Sequence, residues 1–243
     1  MRLLISFLAC HLLLSCSASI TNAEDGSVSH ADTIVDISQP EDTILINALV
    51  TPEISYNSTK QSVKNAIAQG KHSGADFENY LIHHIVPYWY GTEWDFNGYT
   101  AIPNEGVIAC GYFVSTTLLH MGVNIDRYKL AQQAGLLEAK SLALGDEHYE
   151  TIWGIDNLEK VLKERYKDGV YFVGLDNHVG FLYIKYGTPY FLHSNYIEDG
   201  VMMEPALDAP AFQSNIYVIA ELSTNEDFLA KWRKGERFKV HLE

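Results

Sequence analysis

The order of apolar patterns along the chain predicts an α+β domain with helices packed on one side of an antiparallel sheet. Three observations carry this. Helical spacing of apolar residues dominates as far as Tyr166, β-rich segments divided by tight-turn residues follow it, and no βαβ alternation or glycine-rich phosphate loop interrupts the order. A chain of 243 residues with 47% hydrophobic side chains can bury one sizeable core. Its apolar residues concentrate after about Phe77, so one globular domain with a polar lead-in is expected.

The first segment decides the compartment. Arg2 is the only charge ahead of an apolar run from Leu3 to Leu14 that ends in Leu13-Leu14-Ser15-Cys16. A run of about 12 residues is too short for a membrane-spanning helix, which takes about 20, and has the layout of a secretory leader. Leu-x-Ser-Cys resembles the bacterial lipobox, which makes Cys16 the expected lipidation site and 1–16 a lipoprotein signal peptide. Ordinary cleavage after Ala18 or Ala23 is the other reading. Ser17 stands where an Asp would argue for inner-membrane retention, so an exported lipoprotein of the cell envelope is expected, on the outer membrane or the periplasmic face. Residues 17–58 are polar and read as a tether, with one strand or adaptor segment at Thr43 to Val50. The domain is expected over 59–243.

Within it, Val63, Ala66 and Ile67 mark a helix that Gly70 stops, and Phe77, Tyr80, Leu81 and Ile85 mark a second that Pro87 closes. Trp89 to Glu105 is loop-like. Ala109 to Met121 is apolar nearly all round, which predicts a buried central helix capped by Gly122, with Cys110 at its first turn. Gly154 to Tyr166 is another helix. Val170 to Leu175, Val179 to Tyr186 and Tyr190 to His193 then form a strand meander, Ile216 to Leu222 adds a strand, and Asp227 to Lys234 a last short helix.

Charge and cysteine usage exclude several classes. The formal net charge is −14. Such a surface repels nucleic acid and anionic membrane, which leaves the lipid anchor as the only expected membrane contact. His83-His84, His72, His120 and His148 lack zinc-like spacing, and neither metal nor cofactor is expected. Of three cysteines, Cys10 lies in the leader and Cys16 ends it, so the domain keeps Cys110 alone, without a disulfide partner. A free cysteine is most often a small buried hydrophobe. At the start of a buried helix, however, a thiol is placed to have its pKa lowered, beside N–H groups suited to an oxyanion.

A nucleophilic thiol needs a base. His178 opens a strand directly after the polar turn Asp176-Asn177, and Gly180, on the same face, gives a neighbouring helix room to approach. His193 and Asn195 end the next strand on one common face, so either can hold the far nitrogen of His178.

Pro87-Tyr88-Trp89-Tyr90-Gly91, Ile108-Ala109-Cys110-Gly111-Tyr112-Phe113-Val114, His178-Val179-Gly180-Phe181 and Phe191-Leu192-His193-Ser194 together resemble the successive blocks of the NlpC-type cell-wall cysteine peptidases, which are permuted papain-like hydrolases. The resemblance covers roughly Pro87 to Asn195. It implies a papain-like fold, Cys110 as nucleophile, His178 as base, His193 as orienting residue and Tyr88 as an oxyanion or substrate donor. Ala109 stands where the family has Asp, and Gly111-Tyr112 where it has Ser-Gly, which marks a divergent branch. Tyr88 and Trp89, from the aromatic cluster with Tyr90, Trp94 and Phe96, and Asn195 are the expected substrate contacts, although aromatic core packing competes for the cluster. The expected reaction is cleavage of an amide bond in peptidoglycan peptide or a related substrate through a thioester. The alternatives are an envelope lipoprotein that uses the same fold as a binding module, and an acyltransferase or lipid-amide hydrolase of the same superfamily.

Overall fold

The computed structural model describes residues 54–70 and 72–242. Cys16, the leader and the expected segment at 43–50 lie outside them. α1 (Tyr56–Gln69) is capped by Ser55, whose hydroxyl accepts the Ser58 N–H at 3.3 Å. It starts ahead of the expected boundary at Thr59 because Tyr56 is an anchor. The Tyr56 hydroxyl accepts the Trp89 indole N–H at 2.7 Å and lies 2.7 Å from His120 Nδ1.

Ser73 and Asp76 form a reciprocal capping box at the start of α2 (Gly74–Asn79). The helix expected to run on to Ile85 instead passes into a π turn over Tyr80–Ile85 and a 3₁₀ turn over Val86–Tyr88, where Pro87 prevents a regular continuation. α3 (Cys110–His120) buries Phe113, Val114 and Leu118, and Gly122 (φ 85°) supplies the left-handed exit that a side chain would resist. α4 (Arg127–Ala131) and α5 (Gly135–Ala143) occupy a stretch to which the sequence pattern assigns no element.

β1 (Tyr149–Trp153), α6 (Ile155–Arg165), β2 (Gly169–Gly174), β3 (Val179–Lys185), β4 (Thr188–Asn195), β5 (Gly200–Pro205), β6 (Ile216–Glu221) and α7 (Glu226–Arg233) follow among the described residues. The six strands form one antiparallel sheet in the order β1-β6-β2-β3-β4-β5. β2 through β5 are the meander, with β5 an unforeseen fourth member. β6 returns to pair between β1 and β2.

Strand alternation divides the core. Val170, Phe172, Phe181, Leu192 and Val218 face the layer that holds α3, α5 and α7. Tyr171, Val173, Leu182, Ile184 and Ile219 face the other way and are covered by Leu158 and Leu162 of α6 and by Phe212. Helices therefore lie on both faces, which corrects the expected one-sided packing. β2 is buried at every position, so both of its faces require cover, and an amphipathic stripe such as that of α6 specifies burial without specifying against which face.

Candidate active site

The loop ahead of α3 is fixed by three hydrogen bonds. Ile108 N–H donates to Glu93 O at 2.9 Å, Ala109 N–H to Gly98 O at 2.9 Å, and the Ser194 hydroxyl of β4 to Ile108 O at 2.8 Å. Ser194 is fully buried, so the start of α3 is tied to the sheet from inside the core. The N-cap residue is Ala109, which has no side chain to accept an N–H, and the first-turn amides are left to other partners. The nearby backbone amides of Val179, Gly111 and Cys110 itself favour the charged form of the Cys110 thiol.

Gly111 stands where the resembled family has Ser, and the structure gives a reason. A Cβ there would lie 2.7 Å from the carbonyl oxygen of Ala131 at the end of α4. Gly180 has a different role from the expected one. Its missing side chain admits the Phe191 ring and His193 Cβ of β4, which a Cβ would meet at 2.6 and 3.0 Å, and no helix approaches by that route.

That close strand contact builds a hydrogen-bonded chain. His178 Nε2 lies 2.8 Å from His193 Nδ1, and His193 Nε2 lies 2.9 Å from Oε1 of Glu204 on β5. Both histidines are buried, at 3% and 0% exposure. The same Glu204 oxygen receives the Asn195 side-chain N–H at 3.2 Å, so it is an acceptor for two donors. His193 must then carry its proton on Nε2, which makes its Nδ1 an acceptor for His178 Nε2–H. Neutral His178 is left with its lone pair on Nδ1, the nitrogen that a base requires. Glu204 is the member that the sequence pattern misses. It lies two residues along β5 from Met202, the cross-strand partner of His193, and only that register reveals it.

The electrostatics correct one expectation. Burial, the largest influence, pushes the Cys110 thiol above its ordinary pKa, and the nearby amides only partly oppose it. Burial, with His193 beside it, takes His178 down to about 3. The structure does not pair the two side chains: no hydrogen bond joins them, and His178 packs on Phe191, on the sheet face away from α3. Each is uncharged at rest because its charge is not repaid for losing its hydration.

The other expected contacts separate. Trp89 is fully buried, donates to Tyr56 and stacks on His120 at 6.3 Å, so it belongs to the core and not to a cleft. The Tyr88 hydroxyl donates to Ile54 O at 2.5 Å and lies 2.8 Å from Thr59 Oγ1, which directs it toward α1. Asn195 is 1% exposed, and its carbonyl accepts the N–H groups of Ile197 and Glu198. It shapes the β4–β5 turn and steadies Glu204 rather than facing a substrate. The aromatic rings beside His178 are instead Tyr196, 5.1 Å from its ring, and Trp94, 6.1 Å from Tyr196. A cleft of about 500 Å³ lined by Lys64, Leu119, Trp232 and Lys234 contains no nucleophile. Among the described residues no three His, Cys, Asp or Glu side chains form a metal-binding group.

The chain matches no family model, no curated protein and no solved structure. The site therefore rests on its own geometry. If Glu204 fixes the tautomer of His193, Glu204→Ala and His193→Ala should each lower turnover by about 100-fold with little change in KM, and Asn195→Ala should cost much less. Equal losses from Asn195→Ala would move the orienting role to that residue.

Proposed function

We propose that this protein is a cysteine hydrolase that cleaves an amide bond through a thioester, in a papain-like arrangement of the NlpC type. The observation that carries the reading is the His178–His193–Glu204 chain, which holds His178 in one tautomer with its lone pair on Nδ1, in a domain whose Cys110 opens a buried helix. As Sγ attacks the carbonyl carbon, the thiol proton passes to His178 Nδ1, and the oxyanion is received by first-turn amides of α3. Collapse expels the amine, which takes the proton from His178. Water then attacks the thioester, its proton passing to His178 and on to the departing thiol. The transfer requires the His178 ring to turn from Phe191 toward α3 before attack, because the two side chains are not in contact at rest.

Cell-wall peptide is the substrate class that the four sequence blocks favour, and lipidation at Cys16 would hold the domain at the envelope. A second reading, a binding module without turnover, is favoured by the raised thiol alone.

The two are separated by site-resolved alkylation. Full-length protein is treated with a peptide electrophile, and the Cys110 peptide is followed by mass spectrometry. Wild type should label at least ten times faster than His178→Ala. Equal rates would favour the binding module.

A further inference from the structure

The chain is acidic overall, yet five of its 17 lysines and arginines fall between Lys231 and Lys239, where Glu236 is the only carboxylate. Arg233, Lys234 and Arg237 meet Glu226, Glu236 and Asp126 at 3.3, 3.7 and 3.8 Å. Lys231 and Lys239 have no carboxylate partner among the described residues, and neither has Lys140 of α5. These three line one cleft of about 360 Å³, which Cys110 and His178 do not line.

Long-range packing brings them together. The buried Ser141 hydroxyl of α5 accepts the His241 N–H at 2.8 Å and donates to Leu137 O at 2.6 Å, which straps the stretch after α7 along α5. Phe238, buried against Phe228 of α7 at 5.2 Å, fixes the same stretch from the core. Lys140 Nζ stands 5.9 Å from the centre of the Tyr149 ring, and Lys231 Nζ 5.6 Å from that of Phe238. Such contacts restrain the lysine stems and leave their charges without a counter-charge. Asp146 is the one carboxylate in the lining, and it accepts the Tyr149 hydroxyl at 3.2 Å. Glu147, beside Gly145 at the edge, is exposed to solvent, which screens it. Gathering like charges costs stability, and an anion from outside removes that cost.

We propose that this cleft binds a phosphate group of high charge, a phosphomonoester or a diphosphate, through Lys140, Lys231 and Lys239. Three ammonium groups against one carboxylate leave an excess of about two positive charges, which a phosphomonoester at roughly −1.5 to −2 matches and a single carboxylate does not. Ammonium groups are compact charges with rotatable donors, suited to phosphate oxygens arriving from several directions. The His241 ring lies in the same lining with an N–H to add. Free phosphate compounds and lipid headgroups share this chemistry.

Titration calorimetry of the full-length protein with inorganic pyrophosphate at low salt tests the site. Wild type should bind saturably at one site, and Lys231→Gln and Lys239→Gln should each raise Kd about tenfold, the loss of one charge-assisted hydrogen bond. The double variant Lys60→Gln/Lys64→Gln removes two positive charges from α1, outside the cleft, and should bind as wild type does. Equal weakening in that control, or cleft variants that bind like wild type, would overturn the proposal.

Phosphatidylcholine vesicles containing phosphatidic acid distinguish the source. Co-sedimentation of wild type that is lost in Lys231→Gln/Lys239→Gln, without pyrophosphate binding, identifies a lipid headgroup; binding to neither probe overturns the site. If a variant does not fold, acetylation of wild-type lysines is followed residue by residue by mass spectrometry. The bound probe should protect Lys140, Lys231 and Lys239 and leave Lys60 and Lys64 reactive, whereas an unchanged pattern overturns the assignment. No readout depends on Cys110, so the hydrolase reading and this one stand or fall separately.

Discussion

Replacing His178 with alanine should slow turnover by about a thousandfold, within the range that a positioned general base contributes, while Cys110→Ala should abolish it. The size of the His178 loss follows from the neutral resting state. A thiol held above its ordinary pKa by burial supplies little thiolate at pH 7, so in the proposed reaction attack depends on proton transfer to His178. An enzyme with a preformed thiolate would be damaged less. The pH profile gives an independent reading. An unperturbed histidine loses its basic form below about pH 6.5, but His178 stays neutral down to about 3, so activity should continue on the acid side of 6.5 for as long as the fold persists. An inflection of kcat/KM near 6.5 would show that His178 is more hydrated than its burial implies. Circular dichroism on each variant separates lost chemistry from lost structure.

The second large effect is structural. Trp89→Ala should destabilise the fold by about 3–5 kcal/mol, the usual cost of emptying a large aromatic site. Trp89 lies at the meeting point of three elements. Its ring stands edge-on to Tyr56 of α1 at 6.0 Å and to Phe113 of α3 at 6.2 Å, and it stacks on His120 near the end of α3. Removal also takes the Trp89 N–H from the Tyr56 hydroxyl, which keeps His120 as a neighbour. At this chain length the loss corresponds to a fall in Tm of roughly 10 °C. A substrate contact would behave oppositely, with unchanged melting and a raised KM, so one melting curve and one kinetic series decide between the core and cleft roles of this tryptophan.

Trp89 also illustrates what sequence can and cannot convey. The run Pro87 to Gly91 is visibly aromatic, but the side on which each ring falls depends on the π and 3₁₀ turns that precede it, and those break the 3.6-residue period from which a face is read. Elements with intact periodicity were legible: α3 ends at the glycine expected to cap it, and β3 and β4 fall where the meander places them. β5 was hidden because Gly200-Val201-Met202-Met203-Glu204-Pro205 has a single β-branched residue and no alternation. Glu204 was hidden with it. The pairing of His178 with His193 was accessible, because neighbouring strands of a meander juxtapose residues on a common face.

The hydrogen-bonded chain behind His178 has a consequence for assembly. Its links are local: His178 and His193 are 15 residues apart, and His193 and Glu204 are 11. The proposed nucleophile comes from far away, with Cys110 about 70 residues before the start of β3. Closing the longer loop costs about 1 kcal/mol more chain entropy than closing the first link of the meander, before any contact offsets it. Local hairpins therefore have the kinetic advantage, and the imidazole is set in its tautomer before the thiol is delivered. During synthesis or refolding, this sequence of closures keeps Cys110 apart from its proposed base until the sheet and the helical layer have joined. Chemical competence is then a property of the finished domain and not of its parts.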